Sequence, residues 1–406
     1  MSRYEEAKTR VRAHLMQRMD LTRDIDDQEI QDMLDEEIVL IGRCGYLSLA
    51  EKKRLGRELF YAIRKLDILQ ELLEDEAVTE IMVNGPQSIF IEKDGIISKF
   101  HHQFESREKL EDIIQQIVAK ANRVVNESCP IVDARLQNGA RVNVVLSPVA
   151  LNGPILTIRR FPKSPIDMEK LLSLGSVTKE AADFLKKLVR SCYNIFISGG
   201  TGSGKTTFLN ALSGYIPPAE RVITIEDSAE LQLRGIDNLV RLETRNANIE
   251  GCRPVTIREL IRTSLRMRPD RIIVGEVRGS EAIDMIQAMN TGHDGSLSTG
   301  HANSASDMLY RLETMILMGM ELPLPAIRRQ IASGVDIIIH LGRMRDHTRR
   351  VLEIVEILGY EGGEIRTASL YEFVSQGEDE NGHIIGTLVK SGDLTHTEKL
   401  KLAGME

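Results

Sequence analysis

Apolar and polar positions change rhythm several times along the chain. Ile30, Met33, Leu34, Ile38 and Ile41 recur at helical spacing, so residues 1–65 read as an N-terminal helical segment. From Asp24 to Glu37 this segment carries eight acids and no base. That is the pattern of a solvated acidic face, or of a docking surface for a basic partner. Between residues 66 and 160 the rhythm mixes. Leu72 to Val83 runs from a helix end into a strand, and Asn84-Gly85-Pro86 is turn chemistry. Ile89-Phe90-Ile91 before Asp94-Gly95 predicts a hairpin. Ile113, Ile114, Ile117 and Val118 mark a helix, and short strands follow from Arg141 to Leu146 and from Ile155 to Arg159. The whole reads as a compact α+β domain. Phe161 to Pro165, with two prolines, predicts a linker.

From 166 to 375 short apolar runs alternate with helical patterns. That alternation predicts an α/β fold, a doubly wound sheet with ligands at the C-terminal ends of its strands. The expected strands are Ile195 to Ile197, Arg221 to Ile225, Leu239 to Leu242, Arg271 to Val274, Ser296 to Thr299, Asp336 to Leu341 and Arg350 to Leu358. Leu370 to Val389 reads as a last hairpin, so residues 376–406 are expected to form a C-terminal hairpin and tail.

One strand end carries specific chemistry. Gly199-Gly200-Thr201-Gly202-Ser203-Gly204-Lys205-Thr206-Thr207 follows the run Ile195 to Ile197 and opens a helix pattern through Phe208, Leu209 and Leu212. This is the phosphate-loop spacing. Glycines let successive backbone N–H groups turn inward, and the helix N-terminus adds partial positive charge at the same place. Lys205 would reach the β- and γ-phosphates, and Thr206 would hold Mg²⁺. Other strand ends are polar too. Ile225 is followed by Glu226-Asp227, Val274-Gly275 by Glu276, with Arg278 beyond, and Thr299-Gly300 by His301. Glu276 is the candidate water-positioning base, while Glu226 and Asp227 would hold magnesium-bound waters. Gly275 stands where an Asp usually precedes the Glu, so the metal ligand must come from elsewhere. His293 and His301 are candidates for sensing the γ-phosphate. Arg258, Arg262 and Arg266 fall on one helix face and read as a solvated or subunit-contacting stripe.

Composition narrows the field. Among 406 residues, aromatics make up 4% and Trp is absent, which predicts aliphatic cores. No apolar run approaches bilayer length, and the charged start Met1 to Glu6 lacks a signal segment, so a cytoplasmic protein is expected. Cys44, Cys129, Cys192 and Cys252 form no CxxC pair and read as reduced thiols. A net charge of −8 argues against broad nucleic-acid binding.

In this order, the phosphate loop, Ile225-Glu226-Asp227, Val274 to Arg278 and the Thr291-Gly292-His293 to His301 box resemble the type II/IV secretion ATPase superfamily. Val78 to Gly85 and Asp133-Ala134-Arg135 to Arg141-Val142-Asn143 look like its CpaF subgroup, which powers tight-adherence pili. The resemblance covers about residues 60–375. It implies a RecA-like motor domain behind an N-terminal domain, ATP and Mg²⁺ as cofactors, and a homo-hexamer. The partners it implies are inner-membrane platform proteins, with the motor peripheral to the membrane. It also implies that Arg135, Arg141 and Arg159 face the nucleotide. The four-cysteine zinc insertion of some members is not matched, so no zinc is expected. The competing expectations are a RecA-like nucleic-acid translocase and a small-molecule phosphotransferase.

Overall fold

Two apolar periodicities, helical before residue 75 and alternating after it, sort the first part of the chain into two layers. The computed structural model describes residues 3–19, 25–42, 47–93, 95–136, 138–160, 166–245, 253–380 and 382–405. The expected linker, 161–165, lies outside the described residues. The chain divides into two units, Met1–Pro162 and Lys163–Glu406.

The first unit comprises α1 (Arg3–Arg18), α2 (Asp27–Gly42), α3 (Leu49–Arg64), α4 (Ile68–Glu74), β1 (Val78–Asn84), β2 (Ile89–Lys93) and β3 (Ile96–Lys99). It continues with α5 (Arg107–Lys120), β4 (Ile131–Arg135), β5 (Arg141–Val145) and β6 (Ile155–Arg159). Helices α1 to α3 bury Val11, Leu15, Ile30, Leu34, Leu55 and Leu59 against one another. A capping box, Ser48 with Glu51, starts α3. The strands form an antiparallel sheet ordered β3-β2-β1-β6-β5-β4. Its inner face, with Ile81, Val83, Val142 and Ile158, shares a core with Ile113, Ile114 and Ile117 of α5.

The second unit comprises α6 (Met168–Ser173), α7 (Lys179–Arg190), β7 (Ile195–Gly199), α8 (Lys205–Ser213), β8 (Arg221–Glu226), β9 (Asn238–Glu243), α9 (Ile257–Ser264), β10 (Arg271–Val274) and α10 (Ala282–Asn290). It ends with β11 (Leu297–Gly300), α11 (Ala305–Gly319), α12 (Leu324–Gly334), β12 (Ile337–Arg343), β13 (Arg349–Glu361), β14 (Glu364–Glu378), β15 (Ile384–Lys390) and α13 (Glu398–Leu402). The sheet order is β15-β14-β13-β12-β7-β11-β10-β8-β9. From β12 to β9 the strands are parallel. β13, β14 and β15 add antiparallel. Alternation along β7 decides the layers. Ile195 and Ile197 join the core made with α6, α7 and α8, and Phe196 joins the core made with α9 to α12.

Two expectations change. The boundary expected after residue 375 falls inside β14, because β15 pairs along β14 from Tyr371↔Lys390 to Glu378↔Ile384. The hairpin is therefore the edge of the second unit's sheet. The stripe Arg258, Arg262, Arg266 is not uniformly solvated. Arg258 Nε and Arg262 Nε lie 2.7 and 2.8 Å from the two carboxylate oxygens of buried Asp284 on α10. A carboxylate at that depth needs cationic partners, and two helix turns supply them.

Candidate nucleotide site

β7 lies between β12 and β11 and delivers Gly199 to the C-terminal edge of the sheet. Gly199 fits because a Cβ there would lie 2.5 Å from both Leu341 O and Ser203 Oγ. Gly202 and Gly204 have φ of +72° and +92°, the left-handed region that curls the loop. Lys205 begins α8 with its side chain almost wholly buried. Its Nζ donates to Gly199 O at 3.0 Å and Gly200 O at 2.9 Å, and lies 3.3 Å from His301 Nδ1. Burial holds the Lys205 ammonium below its usual range, with Glu276 opposing that shift. Thr206 and Thr207, half-buried, follow on the first turn.

The parallel register brings the acid and the imidazole to the same edge. His301, just past β11, places Nε2 2.8 Å from Glu276 Oε1. Arg278 grips Glu276 Oε2 through Nε at 2.8 Å and Nη2 at 2.6 Å, and its Nη1 lies 3.5 Å from Asp227. Burial, then neighbouring Lys205, pushes the His301 imidazole down, toward its neutral form. A neutral ring can accept at Nδ1 from Lys205. At Nε2 it makes a close polar contact with Glu276 Oε1, an oxygen that has no hydrogen-bond partner among the described residues. Lys205, His301, Glu276, Arg278 and Asp227 thus form one continuous polar chain.

Glu226 is placed differently from Asp227. It is buried, and its Oε2 accepts the backbone N–H of Glu230 and of Leu231, both at 2.8 Å. Its Oε1 has no hydrogen-bond partner among the described residues. Burial pushes its carboxyl up to about 7, despite the two backbone donors. The geometry also accounts for Gly275: a Cβ there would lie 2.9 Å from Glu226 Cγ. The glycine before Glu276 is the space that the Glu226 side chain fills.

His293 does not reach this edge. β11 runs parallel to β7, with Leu297 opposite Ile195 and Gly300 opposite Ser198. His293 O accepts from Ser296 Oγ, at the end where β11 begins. One strand length, about 13 Å, separates that end from the phosphate loop. A residue before a parallel strand cannot share an edge with one after it.

In the first unit, the register gathers the three upstream arginines. Arg135 pairs with Arg141 across β4 and β5, and Arg141 with Arg159 across β5 and β6. Directly paired positions share a face, so the three form one row. Arg135 Nε donates to Gly139 O at 3.2 Å, and Arg141 Nη2 lies 3.6 Å from Asp133 Oδ1.

Two residues at the loop were missed in the sequence, Arg343 and Arg349, which flank the β12–β13 turn. Arg349 Nε donates to Gly202 O at 2.9 Å. The available signal was a basic turn, Arg343 to Arg350, following a strand that pairs with β7. Among the described residues, no group of three or more His, Cys, Asp or Glu is spaced to hold a metal ion unaided. No helix among them is long and apolar enough to cross a membrane.

A phosphate loop on a central parallel strand, with an acid on the next strand but one, defines a RecA-like α/β motor domain. The type II/IV secretion system protein family matches residues 63–379, and the chain belongs to that family. It is 33% identical to the conjugal transfer protein TrbB of Rhizobium radiobacter, over 75% of this chain and 93% of that one. It is likewise 33% identical to the type IV secretion system protein PtlH of Bordetella pertussis, over 71% and 93%. The crystal structure of the pilus retraction motor PilT with bound ADP is similar in fold, with a TM-score of 0.51 and 18% identity over 83% of this chain and 85% of that one.

Proposed function

We propose that this chain is an ATP hydrolase that works as a homo-hexameric motor at the inner face of a membrane, powering pilus assembly or protein export through platform proteins there. The observation that carries the reading is the polar chain joining Lys205 through His301 to Glu276. It ties the phosphate counter-charge to the group that would position water. The loop fits a triphosphate: its glycines curl it, and Lys205 is held by the loop's own carbonyls, ready to exchange them for phosphate oxygens. Thr206, Asp227 and the unpartnered Oε1 of Glu226 would hold magnesium. When bound, that ion supplies charge neutralisation between the β- and γ-phosphates. Glu276 orients the attacking water, and His301 links its charge state to Lys205.

Finer assignments have their own support. The boxes Val78 to Gly85 and Asp133 to Asn143 favour the CpaF subgroup and a tight-adherence pilus. Arg135, Arg141 and Arg159 are proposed to neutralise charge on the γ-phosphate. The name of TrbB supports the second reading, a motor for nucleic-acid transfer. Hydrolysis that single-stranded DNA leaves unchanged favours the first.

The test separates binding from chemistry. Lys205→Ala should abolish ATP binding measured by calorimetry. Glu276→Gln should bind ATP normally and lose turnover on the order of a hundredfold. Tight binding by the first variant, or near-normal turnover by the second, would refute these roles.

A further inference from the structure

The phosphate loop has two flanks. On one, β11 and β10 carry His301 and Glu276. On the other, the turn between β12 and β13 brings two arginines against the loop. Arg349 Nε donates to Gly202 O at 2.9 Å, and its Cδ would lie 3.3 Å from a Cβ on Gly204. Arg343 Nη1 would lie 3.8 Å from a Cβ on Gly202, and its Nη2 lies 3.2 Å from His347 Nδ1. Both side chains are exposed, and among the described residues neither has a carboxylate within 4.0 Å. Two guanidinium groups beside a loop of glycines, with the turn's own carboxylate, Asp346, engaged by Thr348 and Ile384, make a local cation excess in a chain whose net charge is −8. That excess invites an anion.

The order of strands says which part of the anion. A nucleotide whose terminal phosphate points to Glu276 runs its other end toward β12. We propose that Arg343 and Arg349 form the second wall of the site. Arg349 is a positioning residue: by holding the Gly202 carbonyl outward it keeps the loop's N–H groups turned in. Arg343 binds the end of the nucleotide away from Glu276, pairing with its inner phosphate and offering a planar face to the base. This rests on the nucleotide reading of the loop. Its consequence is different from that of Glu276. Contacts with the inner phosphate and base are made equally by substrate and product diphosphate, so they set affinity and leave the chemical step alone.

Calorimetry with MgATP and MgADP on the full chain tests this, beside steady-state turnover and thermal melting. Arg343→Ala should weaken ATP and ADP by the same factor, about tenfold for one lost charge-assisted contact, with the KM for ATP rising alongside. Arg343→Lys should recover part of the loss, since the charge stays and the plane goes. Arg349→Ala should weaken both nucleotides with an unchanged melt, and Arg349→Lys, which keeps a donor for Gly202 O, should restore affinity. ADP affinity within twofold of wild type in Arg343→Ala overturns the proposal. So does a loss confined to ATP, which would put Arg343 on the γ-phosphate. If the unaltered chain binds neither nucleotide, the hydrolase reading itself falls. If it binds both, and Lys205→Ala binds neither, an unaffected Arg343→Ala sinks only the second wall.

Discussion

Histidine is where the residue scale is most informative, because three imidazoles of the motor unit fare differently. His301 joins the polar chain, His293 sits at the far end of its strand, and His340 is buried inside β12. His340 Nδ1 lies 2.8 Å from Ser198 Oγ, on the neighbouring strand β7. Burial pushes its ring below the ordinary value, with Asp307 opposing and Lys205 adding to the shift. A base with a lowered folded-state pKa binds fewer protons folded than unfolded. Stability is then fully present above about 6.5 and is lost as pH falls below it. Glu226, with its carboxyl raised to about 7, acts in the opposite sense over the same range, so the His340 contribution is read as a difference: between about pH 6.5 and 5 the wild-type chain should lose melting temperature relative to His340→Asn. An unchanged slope in the variant would assign the effect to other groups. Of the residues legible in the sequence, Glu276 and His301 stand just after apolar strands and Lys205 opens the helix after one, so parallel topology brings all three to one edge. His293 was misplaced because a Gly-rich turn gives no sign of which residue starts the strand. Glu226 was legible as an acid near the site. Its bonds to Glu230 and Leu231 were not, because they depend on a loop path that no local pattern encodes.

Elements explain why Arg343 and Arg349 escaped notice. The strands on either side of their turn were readable from apolar runs. That β12 lies beside β7, and so carries the turn to the phosphate loop, is a long-range pairing that alternation cannot reveal. The same limit hid the membership of β14 and β15 in the motor sheet. The turn is anchored to β15. Asp346 accepts from Thr348 N at 3.0 Å, Thr348 Oγ1 at 2.6 Å and Ile384 N at 2.9 Å. Against a desolvation that raises it, those bonds hold the Asp346 carboxyl at about 2. Arg350 donates to Ile384 O and Gly386 O and lies over the Phe373 ring. The edge hairpin, this turn and the Gly202 carbonyl are therefore mechanically continuous. Asp346→Ala should loosen the turn and weaken ATP and ADP severalfold, to a smaller degree than Arg349→Ala, because Arg350 still ties β13 to β15. Calorimetry on both variants checks the order. Undiminished affinity in Asp346→Ala would mean the turn holds its arginines without help from β15.

At the scale of the whole molecule, the row Arg135, Arg141, Arg159 is the feature the motor unit does not explain. Like charges on directly paired strands are destabilising, so a row of three has a standing cost to the sheet that carries it. Asp133, exposed and 3.6 Å from Arg141, offsets part of it, and Glu80, opposite Arg159 across β1 and β6, offsets more. A bound nucleotide would add a further counter-charge if the row reaches it. If the row acts on the γ-phosphate, Arg141→Ala should lower turnover at least tenfold while changing ATP affinity by much less, since the charge it meets grows only as the bond breaks. An equal loss of both would make Arg141 an ordinary binding contact. If the chain forms the proposed ring, mixed rings then tell which copy supplies the row. Lys205→Ala subunits have intact arginines and no working loop; Arg141→Ala subunits have the reverse. If each row serves the loop of its own chain, rings assembled from both variants contain no complete site, and their turnover should equal the average of the two pure variants. Turnover well above that average, in rings shown by sequential pull-down through two different tags to contain both, would mean that the arginines serve the neighbouring copy.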